Sequence, residues 1–170
     1  WEWADSSRAN RVNEVLASKE KFTVDDMKKL QVDYLSLPAR ELVSYLSNIA
    51  FREHRLDSIK SLLLNWDYEL NPESIEAAVY VAWEREITRQ AYDRFVPEKG
   101  KTVVRYVPLR RVMEWLKENR AEFNGAHSFL EQCYRDALQK LTEKLGDSIG
   151  NWQYGQPNYH HVVIKHPLSN

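Results

Sequence analysis

Residues 71–96, NPESIEAAVYVAWEREITRQAYDRFV, decide the fold class. Asn71-Pro72-Glu73-Ser74 is a strong helix start, because proline presets the backbone of a first turn and a serine oxygen can accept one of the amides a helix leaves unpaired at its N-terminus. Ile75, Ala78, Val79, Ala82, Trp83, Ile87, Ala91 and Phe95 then recur at spacings of three and four, which lays one apolar stripe along a helix that continues to Val96. Pro97-Glu98-Lys99-Gly100 breaks it.

The same period runs outward in both directions. Upstream, Val12, Val15 and Leu16 predict a first helix over 5–18, with Ser6 and Ser7 as capping candidates. Thr23-Val24-Asp25-Asp26 approximates a capping box for a second helix whose stripe is Met27, Leu30 and Tyr34 and which ends before Pro38. Pro38 opens a third with Leu42, Val43, Leu46 and Ile49, and Ile59, Leu62 and Leu63 mark a fourth over 56–66. Downstream, 102–106 reads as extended or irregular, Pro108 opens a helix carrying Leu109, Val112, Met113 and Leu116, and Asn124-Gly125 closes that segment. A last helix over 128–145 places Leu130, Tyr134, Ala137, Leu138 and Leu141 inward and stops at Gly146. The expected fold is mostly α: a helical bundle of about seven helices over 1–150 and a short extended tail over 151–170, with Val162-Val163-Ile164 as a candidate strand.

Composition narrows the function classes. The chain has 170 residues, 43% hydrophobic and 29% charged, enough to bury one core. With 24 basic and 25 acidic side chains it has no basic field to collect phosphates, so nucleic acid is not an expected partner. Its longest apolar runs fall far short of the roughly 20 residues of a membrane helix. Cys133 alone forms no internal disulfide. The opening WEWADSSRAN has neither Met nor the pattern of a signal peptide and reads as starting inside a folded element, so the chain is expected to be a fragment of a larger protein.

The tail WQYGQPNYHHVVIKHPLSN, 152–170, crowds His160, His161 and His166 together. A metal site lacks support: the histidines have no helical i, i+4 spacing, no cysteine or carboxylate cluster lies near, and on a strand His160 and His161 would face opposite ways. Asp25/Asp26, Glu84/Glu86 and Asp67/Glu69 can be imagined as acid and base pairs. Simpler readings are a helix N-terminus for Asp25 and Asp26, and solvated mid-helix charge for Glu84-Arg85-Glu86. Cys133, among Phe129, Leu130 and Ala137, reads as a core thiol and not a nucleophile. Trp66, Trp83 and Trp115 read as core fillers. Arg8 and Arg11 offer planar forks suited to a carboxylate or another anion.

The order of segments adds a resemblance. Arg8-Ala9-Asn10-Arg11-Val12, Phe22-Thr23-Val24-Asp25-Asp26-Met27 through Leu30-Gln31-Val32-Asp33, Leu63-Leu64-Asn65-Trp66-Asp67 ahead of the helix with Trp83, and Trp152-Gln153-Tyr154-Gly155 with His166-Pro167-Leu168 follow one another with the spacing of the middle of the β chain of penicillin acylases. The conjunction carries the resemblance, which covers nearly the whole chain.

This resemblance implies the helical part of a larger α+β N-terminal nucleophile hydrolase. Such an enzyme splits an amide with the hydroxyl and α-amino group of a serine exposed when a precursor cleaves itself, and that serine and the family's oxyanion-hole asparagine are expected outside this chain. Arg8 matches an arginine that borders the family's active site and is the one catalytic candidate carried over. No cofactor is implied within this chain, although the complete enzyme can hold structural calcium. Implied partners are the α chain, the rest of the β chain and a small-molecule amide; the implied location is periplasmic or secreted. Many relatives have histidine where Asn158 stands, so no role is carried to that position. The tail histidines are expected to pack where the helical region returns to a central sheet. The rival expectation is an autonomous helical module that binds a protein or peptide through an aromatic groove.

Overall fold

The computed structural model describes residues 6–160, and among them seven α-helices follow in order. These are α1 (Ser7–Ala17), α2 (Val24–Gln31), α3 (Leu37–Ser44), α4 (His54–Leu64), α5 (Ile75–Phe95), α6 (Leu109–Lys117) and α7 (Ala126–Leu145). Local chemistry sets several boundaries. Ser74 Oγ accepts the Ala77 amide at 2.9 Å at the start of α5. Ser36 does the same for Ala39 at 3.2 Å, with proline in the first turn of α3. Thr23 and Asp26 form a full capping box on α2, each side chain bonded to the other residue's amide. Asn124 and Gly125, both at positive φ, turn the chain into α7, and Gly146 at φ 85° ends it.

The core forms around α5 and α7. Trp83 and Tyr134 are fully buried and meet edge to face at 5.9 Å, and Trp83 Nε1 donates to the Leu130 carbonyl at 3.1 Å. Leu42, Val43 and Leu46 pack from α3 and the 3-10 turn Tyr45–Asn48, while Ile59 and Leu63 come from α4 and Val112 and Leu116 from α6. Each such side chain contributes about 1.5–3 kcal/mol by leaving water. At the far end of α5, Phe95 stacks on Trp115 at 4.1 Å.

Among the described residues there is no named strand, only an isolated antiparallel bridge between Leu35 and Glu69. Ser36 donates to the Tyr68 carbonyl and Leu70 to that of Tyr34, so the α2–α3 connection is tied to the α4–α5 connection. The segment 152–160 runs through turns across the start of α5. Tyr154 donates to the Ser74 carbonyl, Gly155 to that of Pro72, and the Tyr159 hydroxyl to that of Ala78. The candidate strand at 162–164 lies outside the described residues.

Two differences from the sequence pattern stand out. Helix α2 stops at Gln31, so Tyr34 is not part of its stripe and is 56% exposed. Neither α1 nor α2 contributes a buried residue, although both carry an apolar stripe. Val12, Val15, Met27 and Leu30 are half-buried, and the rest of the attachment is polar.

Candidate functional site

The polar attachment centres on the end of α2. A helix leaves its last carbonyls unpaired, and the aligned peptide dipoles make that end electronegative. Arg8, in the first turn of α1, lies over these carbonyls: Nη2 donates to Leu30 O at 2.6 Å and to Gln31 O at 3.4 Å, and Nη1 donates to Asp33 O at 3.1 Å. Arg11 is three residues on and therefore on the same helix face. Its Nη2 donates to Asp33 Oδ2 at 2.8 Å and its Nε reaches both carboxylate oxygens.

Asp33 joins the two arginines. Its backbone carbonyl accepts from Arg8, its carboxylate accepts the Arg11 fork, and Oδ1 also accepts the Leu35 amide at 3.1 Å. Arg11 holds the Asp33 carboxyl below the usual aspartate range, a pull that outweighs partial burial and is helped by the Leu35 amide. Asp33 in turn raises the Arg11 guanidinium further above its ordinary value. Arg11 and Arg40 both reach Glu14, which extends the network from α1 to α3.

Beside this network, a groove of about 550 Å³ opens between α1, α3 and α6, with Ser7, Asn10, Arg40, Glu41, Glu114 and Lys117 on its walls. Its charges are matched inside the chain, Lys117 with Glu41 and Arg110 with Glu114. Arg8 does not line it.

The penicillin amidase family model matches residues 1–170. The chain belongs to the penicillin amidase family. No curated protein matches it. Membership of this family points to an amidohydrolase-like parent protein.

Acyl transfer needs an activated nucleophile with a base and preorganised donors for the oxyanion. Cys133 does not supply the first: it is wholly buried on α7, and burial pushes its thiol well above the ordinary range. Asp26 belongs to the capping box and pairs with Lys19 at 2.7 Å, Asp25 pairs with Lys28, and Asp67 accepts the Glu69 amide in a turn. Asp67 shares an open groove of about 280 Å³ with Glu76, whose carboxylate accepts the Ser74 hydroxyl at 2.9 Å. Among the described residues no group of three or more His, Cys, Asp or Glu is placed to hold a metal ion. No helix of the described residues is long and apolar enough to cross a membrane.

Glu86 corrects the reading of Glu84-Arg85-Glu86 as solvated charge. It is 5% exposed, three residues after Trp83 and seven after Val79 on the face that meets α7. Its carboxylate accepts from Arg89 Nε at 3.1 Å and from Lys140 on α7. Burial pushes the carboxyl up, but these two cations outweigh it and hold it below the usual glutamate range. The group is a structural ion pair, not a general acid.

Of the tail histidines, His160 stacks on Tyr154 with ring centroids 4.7 Å apart, while His161 and His166 lie outside the described residues. Trp83 is fully buried, Trp66 nearly so, and Trp115 partly so against Phe95. Asp33 escaped the residue-by-residue reading. No local pattern marks it, because its partner Arg11 lies 22 residues away and Arg8 is met by backbone carbonyls.

Proposed function

We propose that this chain is the helical portion of an acylase that hydrolyses the amide bond of an acylated amine or β-lactam-like amide. Its nucleophile is an N-terminal serine carried on a segment outside these 170 residues. The serine's own α-amino group takes the hydroxyl proton as the oxygen attacks the amide carbonyl. Donors outside this chain steady the tetrahedral oxyanion, the amine leaves with a proton, and water then frees the acyl group as a carboxylic acid. The 170 residues alone carry no turnover. Arg8 borders the reaction site, where a permanently charged planar donor orients either the nucleophile's surroundings or a substrate carboxylate. The assembled enzyme, with its α chain and the rest of its β chain, is placed in the periplasm or outside the cell.

The observation that carries this reading is the family match across residues 1–170. Support for Arg8 comes from its fixed place on the α2 carbonyls, because a group that borders a reaction must be held in one orientation.

Mass spectrometry and N-terminal sequencing of the whole purified gene product, with hydrolysis assays on phenylacetyl, glutaryl and acyl-homoserine lactone substrates, test the proposal. A companion polypeptide that begins with serine, together with hydrolysis of one of these amides, is the expected result. A single uncleaved species that hydrolyses none of them overturns it and leaves a helical interaction module.

A further inference from the structure

We infer that Asp33 is a positioning residue for Arg8, acting through Arg11 and through the backbone turn it closes; the inference rests on the proposed role of Arg8 and adds a second and third residue to that site. Three carbonyls hold the Arg8 guanidinium, and they come from Leu30, Gln31 and Asp33. The last two lie at or beyond the end of α2, where helical hydrogen bonding no longer fixes them; the Asp33 amide reaches Leu30 O only at 3.5 Å. Something else must set their direction.

The Asp33 side chain does so twice. It accepts the Leu35 amide, which closes the turn that leads into α3, and it accepts the Arg11 fork, which clamps that turn to α1. Arg11 and Arg8 share one face of α1, so the clamp also fixes the distance from which Arg8 reaches the carbonyls. Both partners are largely shielded, with side-chain exposures of 19% for Arg11 and 15% for Asp33. Water therefore competes poorly for the pair, and the contact is a defined geometry and not a loose surface pair.

A residue that only stabilises the fold and one that positions Arg8 make different predictions. If Asp33 acts through Arg8, removing both cannot cost more than removing Arg8 alone, because the effects of residues that work as a unit do not multiply. If Asp33 only stabilises, the folded Asp33→Asn variant keeps the wild-type kcat, and if it acts on turnover independently of Arg8, the two losses multiply.

The experiment uses the whole gene product with Asp33→Asn, Arg11→Lys, Arg8→Ala and the double variant Arg8→Ala/Asp33→Asn. Arg11→Lys serves as the milder variant, since an ammonium cannot form the fork. Turnover of a phenylacetyl amide is measured on folded protein, and crystal structures of Asp33→Asn and Arg11→Lys report the Arg8 guanidinium. Expected are a fall in kcat of roughly tenfold to a hundredfold for Asp33→Asn with little change in KM, a double variant no slower than Arg8→Ala, and a guanidinium displaced from the Gln31 and Asp33 carbonyls. An unchanged kcat in folded Asp33→Asn, multiplying losses, or a guanidinium still on all three carbonyls in both variants, overturns the inference. A wild-type protein that splits no amide removes the amidase reading separately, and the two crystal structures then still decide whether Asp33 positions Arg8.

Discussion

Gly155 lies against Pro72 so closely that a methyl group on its α-carbon would stand 2.6 Å from Pro72 Cβ, and its amide donates to the Pro72 carbonyl at 2.7 Å. The turn after Trp152 is thereby sealed onto the start of α5, the helix around which the core is organised. Backbone conformation does not demand glycine here; the space does. Gly155→Ala is expected to destabilise the fold by about 1–3 kcal/mol, the usual cost of an overpacked contact. Urea unfolding of the whole protein checks it, and an unchanged midpoint would show that the turn yields without cost.

Glu86 gives the seam between α5 and α7 a pH dependence. Its folded pKa lies below the ordinary value of 4.5, so in acid the unfolded chain takes up a proton before the native one. Stability contributed by the pair is complete above that value and is lost as the pH falls through the lower folded pKa. Glu86→Gln should therefore lower stability by about 1–3 kcal/mol near pH 7, and by less near pH 3, where the native carboxylate is also being protonated. Unfolding midpoints of both proteins over that range should converge on the acid side.

Cys133 is wholly buried and its thiol is pushed up by burial. Labelling by an aromatic disulfide in native buffer should proceed only as fast as the protein opens, and should become rapid in denaturant. Cys133→Ala should leave amide hydrolysis within about twofold of wild type, a direct check that the thiol is no nucleophile.

Ser74 caps α5 through the Ala77 amide, and its carbonyl receives the Tyr154 amide. Ser74→Ala removes only the first of these. A loss of about 1 kcal/mol is expected, read as a shift in thermal midpoint.

These contacts also show which parts of the molecule a sequence discloses. Helices announce themselves locally: the Asn-Pro-Glu-Ser start of α5, the Thr23 and Asp26 box of α2 and the stop at Gly146 each depend on neighbours within four residues. Cys133 and Trp83 were legible as core for the same reason, since each sits in an apolar stripe. Pairings across the fold were not. Arg11 and Asp33 are 22 residues apart, and each taken singly looks like a solvated charge. Glu84 and Glu86 stand in one triplet and differ only in which side of α5 they occupy; the position of Glu86 relative to Val79 and Trp83 carried that information, but its charge concealed it. The apolar stripes of α1 and α2 are only half-buried at Val12, Val15, Met27 and Leu30, and arginine, carbonyl and carboxylate contacts add to their attachment.

We propose an amide hydrolase in which this helical region sets Arg8 beside the reaction site. The deciding measurement is the steady-state rate at which the whole gene product hydrolyses a phenylacetyl, glutaryl or acyl-homoserine lactone substrate, compared with the rate of folded Arg8→Ala. Hydrolysis by the wild type is expected, with a fall in kcat of about a hundredfold in the variant, the scale of a misplaced reacting group. Hydrolysis at equal rates by both proteins would contradict the role of Arg8, and no hydrolysis of any of the three by the wild type would contradict the claim itself.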